Sequence, residues 1–178
     1  IGGQFTIAQL VGASALSRPR TFIALAKWLS MEDIRVAAYE PPTPPRRLLL
    51  VDDSPLMRRA LQSIFSSDPR FEIVGTAENG VEALRMVEQL KPDVVTMDIQ
   101  MPVMDGLTAL KHVMVRQPVP VVVLSAFTGQ TSPLTYQSFK YGAVDVLVKP
   151  AAKGTGAGMS EQAKQIRERV LQACDVRM

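Results

Sequence analysis

Each of four short apolar runs in this sequence ends in polar side chains that could do chemistry. Asp52 and Asp53 follow the first run, Asp98 the second, Ser125 the third and Lys149 the fourth; the runs occupy residues 48–51, 94–97, 121–124 and 144–148. Continuous apolar runs of this length are typical of strands buried on both faces of a parallel sheet. Because ligands bind where the carboxyl ends of such strands meet, we expect these side chains to share one pocket.

The residue types in this pocket suit a hard divalent cation and a phosphoryl group. Mg²⁺ prefers octahedral oxygen coordination by one or two carboxylates, waters and phosphate oxygens. We expect Asp53 and Asp98 to be direct ligands, Asp52 to act indirectly, and the backbone carbonyl of Gln100 to be a further ligand. A cation also offsets the mutual repulsion of three carboxylates in apolar surroundings.

Asp98 is the candidate nucleophile. Its carboxylate can attack a phosphoryl donor and form an aspartyl phosphate. Mg²⁺ and Lys149 are expected to neutralise charge on the equatorial oxygens in the transition state. Ser125 can donate a hydrogen bond to the new phosphoryl group, and because that bond exists only in the modified state it can bias a conformational equilibrium.

The strings around these residues occur in one order: Val51-Asp52-Asp53-Ser54, Met97-Asp98, Met101-Pro102, Met104-Asp105-Gly106, Leu124-Ser125-Ala126 and Val148-Lys149-Pro150. They resemble the receiver domain of two-component response regulators, over roughly residues 46–150. The resemblance implies that a histidine kinase phosphorylates Asp98, with Mg²⁺ as the cofactor. It also implies a flavodoxin-like fold.

A narrower resemblance rests on five strings, at residues 52–58, 95–98, 101–107, 120–122 and 142–145. They are similar to the N-terminal regulatory domain of the chemotaxis protein-glutamate methylesterase. In that family a receiver regulates an attached esterase, which removes methyl esters from glutamates of chemoreceptors and deamidates glutamines there. The resemblance therefore implies that the full-length protein is a carboxylic ester hydrolase with chemoreceptors as partners.

The order of the expected elements predicts an α/β fold with a doubly wound parallel sheet. We expect strands at 46–52, 71–76, 93–98, 121–124 and 144–148, and helices near 55–66, 80–90, 106–116, 132–141 and 160–173. Ser54 and Pro55 suit the start of the first helix, and Gly142 suits the end of the fourth. Gly80 is assigned to the loop before the second helix, and glycines at 154, 156 and 158 predict a loop before the last. The resemblance adds the strand order 2-1-3-4-5 in a five-stranded sheet.

The expected domain organisation has four parts. Residues 1–40 form a helical extension of unknown role, with an amphipathic helix near Trp28, and the proline-rich residues 41–45 form a stiff linker. Residues 46–150 are the receiver, and residues 151–178 contain a loop, the last receiver helix and the start of a linker. Residues 7–14 faintly resemble the start of a helix-turn-helix, but Pro19 interrupts the second helix, so DNA binding is the least favoured alternative.

Composition limits the class of protein. With 178 residues, 47% of them hydrophobic, the chain can bury a full core. The net charge of +3 is small, and no Lys/Arg cluster is longer than two residues. Charge therefore gives no argument for nucleic-acid binding. Cys174 is the single cysteine, which fits a reducing cytosol, so we expect a cytoplasmic protein. No apolar run reaches the roughly 20 residues of a membrane span.

This sequence lacks the pattern of an esterase centre. It has no Gly-x-Ser-x-Gly string, and its single histidine, His112, lies within the expected receiver. Three interpretations stay open. The chain is the regulatory receiver of a methylesterase whose effector domain lies outside this sequence, a stand-alone regulator or phosphate sink, or a receiver with an N-terminal DNA-binding extension.

One position departs from the family pattern. Receivers often carry an aromatic residue three positions before the strand-five lysine, and Val146 stands there. Rotation of an aromatic ring is therefore not available at this site, and Tyr136 and Tyr141 are candidate substitutes. We expect the effector to bind the face formed by the fourth helix, the fifth strand and the fifth helix.

Overall fold

The structure is a computed structural model that describes residues 44–126, 133–150 and 157–178. These residues form a five-stranded parallel sheet with helices on both faces. The strand order is β2-β1-β3-β4-β5, as the family resemblance implies. The strands are β1 Arg46–Val51, β2 Phe71–Ala77, β3 Val94–Asp98, β4 Val121–Ser125 and β5 Asp145–Val148. The helices are α1 Pro55–Ser66, α2 Gly80–Leu90, α3 Gly106–Arg116, α4 Pro133–Lys140 and α5 Ala157–Ala173.

Side-chain caps start the first three helices directly after the sheet edge. The side chains of Ser54, Asn79 and Asp105 each accept a hydrogen bond from a backbone N–H in the first turn of α1, α2 and α3. Such caps satisfy amide groups that the helix itself leaves unpaired. The predicted bounds of these three helices are confirmed, although Gly80 is the first residue of α2 and not part of the preceding loop.

The last helix begins earlier than the sequence predicts. Helix α5 starts at Ala157, so Gly158 belongs to the helix and not to the expected glycine loop. The buried residues Ile166 and Val170 anchor the second half of α5 in the core that it shares with α1.

Two apolar cores lie on opposite faces of the sheet, because successive strand residues point to opposite sides. Leu49 and Val51 pack in the core that α2 and α3 cover, whereas Leu48 and Leu50 pack in the core that α1 and α5 cover. All four residues are fully buried. The central strands are therefore held from both faces, which fixes the positions of their carboxyl ends.

The parts of the sequence outside the described residues include several predicted features. They are the helical extension in 1–40, most of the linker at 41–45, the loop at 151–156 and the residues 127–132 that follow β4. Among the helices of the described ranges, none combines the length and hydropathy that a membrane span requires.

Candidate functional site

Strand register brings the predicted site residues to one edge of the sheet. Asp98 pairs in register with Leu124, next to Ser125, and Ser125 pairs with Val148, next to Lys149. Asp52 directly follows the last residue of β1, which lies beside β3. The side chains that the sequence singles out therefore meet although they are far apart along the chain.

Lys149 is the cation at the centre of this cluster. Its Nζ lies 2.7 Å from Asp52 Oδ2 and 2.7 Å from Asp98 Oδ2. The side chain of Asp52 is fully buried and that of Asp98 is only 7% exposed. One largely buried lysine thus bridges two carboxylates at the ends of neighbouring strands, and charge pairing offsets the cost of burying them.

The electrostatic environment acts on Asp98 and Lys149 in opposing ways. Burial raises the pKa of Asp98, and the bond with Lys149 opposes this rise without cancelling it. Burial by itself lowers the pKa of Lys149, but its bonds with Asp52 and Asp98 outweigh this effect and leave that pKa raised. The lysine is therefore a fixed positive charge beside Asp98.

The donor set fits a divalent cation. Carboxylate oxygens of Asp52, Asp53 and Asp98 all lie within 4.8 Å of one another, and Asp53 is exposed to solvent. Lys149 contacts two of these three carboxylates and leaves the cluster with an excess of negative charge. Hard oxygen donors with an excess of negative charge and an open side are the type of site that Mg²⁺ occupies.

A cleft of about 370 Å³ opens above this cluster. It is lined by Asp53, Asp98, Ile99, Gln100, Ser125, Ala126, Leu134 and Lys149. Ser125 and Asp98 are buried residues of its lining, and Gln100 is an exposed one. A larger groove lies between β5 and α5, but its lining includes none of the predicted site residues.

Sequence reasoning did not identify two residues that shape the site. Gly106 begins α3 against the backbone of the candidate nucleophile: a Cβ there would lie 1.9 Å from the carbonyl oxygen of Asp98. Arg58 donates hydrogen bonds to the carbonyls of Asp52 and Asp53. Gly106 lies in the string Met104-Asp105-Gly106, and Arg58 lies in the string at residues 52–58. Both strings carry the family resemblance, and that resemblance was the available signal.

A strained turn follows β3. Val103 has a φ of 68°, and the N–H of Met104 donates to the carbonyl of Pro102 at 2.7 Å. A β-branched residue rarely adopts positive φ, and such strain costs of order 1–3 kcal/mol. No sequence signal indicated it, since valine is typical of extended backbone.

The residues considered for signal transmission lie in different environments. Val146 is half-buried against the α2–α3 core, and Tyr136 is 71% exposed on α4. Tyr141 lies after α4, packs on the same core, and has Lys111 Nζ 4.0 Å from its ring centroid. The cation–π contact and the packing hold Tyr141 in place, whereas Tyr136 is available to a partner.

Comparisons with known proteins agree with this geometry. The family model of the response regulator receiver domain matches residues 48–157. The protein-glutamate methylesterase/protein-glutamine glutaminase of Pyrococcus horikoshii is 42% identical over 130 residues, which are 73% of this chain and 35% of that protein. The response regulator domain of Thermotoga maritima CheB is 37% identical with a TM-score of 0.68, covering 75% of this chain and 99% of that one. A chain of the CheX–CheY–BeF3–Mg²⁺ complex from Borrelia burgdorferi is 30% identical with a TM-score of 0.59, covering 72% of this chain and 88% of that one.

Fold, acidic cluster and family match together define the class: the chain belongs to the response regulator receiver domain family. Within that family it is related to the regulatory domain of CheB, the chemotaxis methylesterase. The chain spans about a third of the length of the curated methylesterases it matches.

Proposed function

We propose that this receiver is phosphorylated on Asp98 by a histidine kinase, with Mg²⁺ as cofactor. The observation that carries the proposal is the juxtaposition of Asp98 with Lys149, Asp52 and Asp53, next to a cleft that Asp53, Asp98 and Lys149 line. In the reaction an Asp98 oxygen forms a bond to phosphorus while the phosphorus–nitrogen bond of a phosphohistidine breaks. The imidazole leaves with the electron pair of that bond.

The residues of the cluster divide the remaining work. Asp53 and Asp98, with the backbone carbonyl of Gln100, would hold the cation, and Asp52 acts on it indirectly. Mg²⁺ when bound supplies positive charge that neutralises the transferring phosphoryl oxygens. Lys149 supplies a second positive charge from the protein, and its bond with Asp52 fixes where that charge lies. The Borrelia complex, which contains BeF3 and Mg²⁺ as its name states, supports the same cofactor here.

Ser125 couples phosphorylation to conformation. Its hydroxyl lies in the wall of the cleft and is the proposed donor to the new phosphoryl group. Formation of that bond favours a state in which the end of β4 lies closer to Asp98, and a ligand shifts an equilibrium only through such differential contacts. The face formed by α4, β5 and α5, with the exposed side chains of Tyr136 and Val148, is the proposed effector surface.

The regulated effector is proposed to be a chemotaxis methylesterase. Two findings support this proposal: the similarity to the regulatory domain of CheB, and the sequence identity with proteins named protein-glutamate methylesterase/protein-glutamine glutaminase. The full-length protein would then act on chemoreceptors in the cytoplasm. The gene decides this part of the proposal: a serine hydrolase domain encoded after the receiver supports it, and a stop codon directly after residue 178 contradicts it.

Phosphorylation is tested by intact-mass spectrometry after incubation with acetyl phosphate. Wild type with Mg²⁺ should gain one phosphate, and the same sample with a chelator should gain none. Asp98→Asn keeps the shape of the side chain but removes the nucleophile, so it should stay unmodified. Equal labelling of wild type and Asp98→Asn contradicts the assignment of Asp98.

A further inference from the structure

Arg58, in the first turns of α1, is bound to the backbone of the loop that carries Asp52 and Asp53. Its Nη1 donates to the carbonyl of Asp52 at 2.8 Å and to the carbonyl of Asp53 at 3.0 Å. Its Nη2 pairs with the carboxylate of Glu78, just past the end of β2. The guanidinium therefore joins this loop to the neighbouring strand end through three acceptors.

The guanidinium of Arg58 is itself restrained, because its side chain is largely buried and paired with Glu78. The side chain of Arg58 is only 13% exposed, whereas Glu78 is 62% exposed. The backbone N–H of Arg58 donates to the carbonyl of Ser54, within the same loop. A planar group with several donors in fixed directions loses little freedom for each hydrogen bond that it forms, which a lysine ammonium cannot match.

The loop needs such a restraint because its two acidic residues have opposite environments. Asp52 is fully buried and tied by its own side chain to Ser54 N–H and to Lys149. Asp53, the next residue, is exposed, and among the described residues no hydrogen bond is formed by its carboxylate. The position of the Asp53 carboxylate thus depends on the backbone, and Arg58 is the side chain that binds that backbone at both residues.

We propose that Arg58 is a positioning residue for the cation: by binding the carbonyls of Asp52 and Asp53, it pre-sets the loop so that the Asp53 carboxylate faces Asp98. This inference rests on the proposed Mg²⁺ site. Its consequence runs against simple electrostatics. A positive side chain beside a cation site should weaken cation binding, so removing it should strengthen binding if charge alone matters. Positioning predicts the opposite sign.

The test is a titration of the protein with Mg²⁺, followed by isothermal titration calorimetry, at a temperature well below unfolding for every variant. Arg58→Met removes the charge and the hydrogen bonds but keeps an unbranched side chain. It should weaken Mg²⁺ binding about tenfold or more, as is typical when a residue that orients a metal ligand is lost. Arg59→Met is the matched control. Arg59 is exposed, and this substitution removes the same charge from the adjacent position. It should leave the affinity within about twofold or slightly increase it.

Arg58→Lys separates charge from geometry. It keeps the positive charge but not the planar donors. Its affinity for Mg²⁺ should therefore be as low as that of Arg58→Met and clearly below that of wild type. If Arg58→Met does not fold, this variant decides the question. Mg²⁺ affinity that is unchanged or increased in both Arg58 variants overturns the proposal. A wild type that does not bind Mg²⁺ at all refutes instead the proposed function on which the inference rests.

Discussion

Replacement of Gly106 by alanine has two opposing effects on stability: a higher helix propensity and a steric contact with the backbone. Gly106 is the first residue of α3, where alanine is favoured over glycine by up to about 1 kcal/mol. The new Cβ, however, would lie 1.9 Å from the carbonyl oxygen of Asp98 and 3.0 Å from Ile99 Cα. Both neighbours are backbone atoms of the strand end, so neither can rotate away as a side chain can.

The contact determines the sign of the effect. The backbones must separate by about 1 Å before the shortest distance reaches the 3.0 Å that real Cβ contacts respect. That shift also strains the hydrogen bond from the N–H of Gly106 to the carbonyl of Ile99, 2.8 Å long. Overpacking costs about 1–3 kcal/mol and a lost hydrogen bond about 1 kcal/mol. After the propensity gain, we expect Gly106→Ala to lower the free energy of unfolding by about 2 kcal/mol.

Thermal and urea denaturation measure this loss. For a chain of this size about 2 kcal/mol corresponds to a fall in Tm of roughly 4–8 °C. Gly75→Ala is the matched control, because its Cβ meets the tips of flexible side chains, with Leu90 Cδ1 nearest at 2.9 Å. We expect its change to stay within about 1 kcal/mol. A Gly106→Ala variant as stable as wild type, or an equal loss of stability in Gly75→Ala, would show that the backbone contact does not determine the effect.

Three further substitutions test other parts of the account. Asp53→Ala should weaken Mg²⁺ binding in a titration more than Asp52→Asn does, because Asp53 is the proposed direct ligand; equal losses would contradict the assignment. Ser125→Ala should still be phosphorylated by acetyl phosphate but show a smaller change in amide exchange across residues 133–149 on addition of beryllofluoride, and an unaltered exchange response would remove Ser125 from the coupling. Hydrogen bonds from Arg70 hold the pKa of Asp68 below its ordinary value, so its ionised form stabilises the fold above about pH 4 and this contribution is lost as the pH falls through the lowered pKa. Asp68→Asn should therefore be less stable than wild type to urea at pH 7, with a gap that narrows at pH 3; a gap that does not depend on pH would exclude this charge effect.

The positions of the strands and most residues of the candidate site could be predicted from the sequence because the signals there are local, whereas the order of the strands came from the family resemblance. Continuous valine and leucine at 121–124 indicate a buried strand, and Ser54 followed by Pro55 marks the start of α1. The meeting of Asp98 with Lys149 follows from topology alone, since parallel strands share one carboxyl edge.

What sequence reasoning missed depends on distances between remote residues. The contacts of Arg58 include Glu78, and the close approach of Gly106 to Asp98 depends on how α3 leaves the loop. The positive φ of Val103 contradicts its local preference, so only the surrounding structure can impose it.

Asp98 is the residue proposed to carry the phosphoryl group, and chemical reduction tests that assignment directly. Reduction with borohydride after phosphorylation converts an aspartyl phosphate into a stable alcohol, which peptide mass spectrometry can assign to one residue. If Asp98 is the phosphoryl acceptor, a single reduced residue should be found, at Asp98, and only when both acetyl phosphate and Mg²⁺ are present. Reduction at Asp52 or Asp53, or at no residue although the intact protein has gained phosphate, would contradict it.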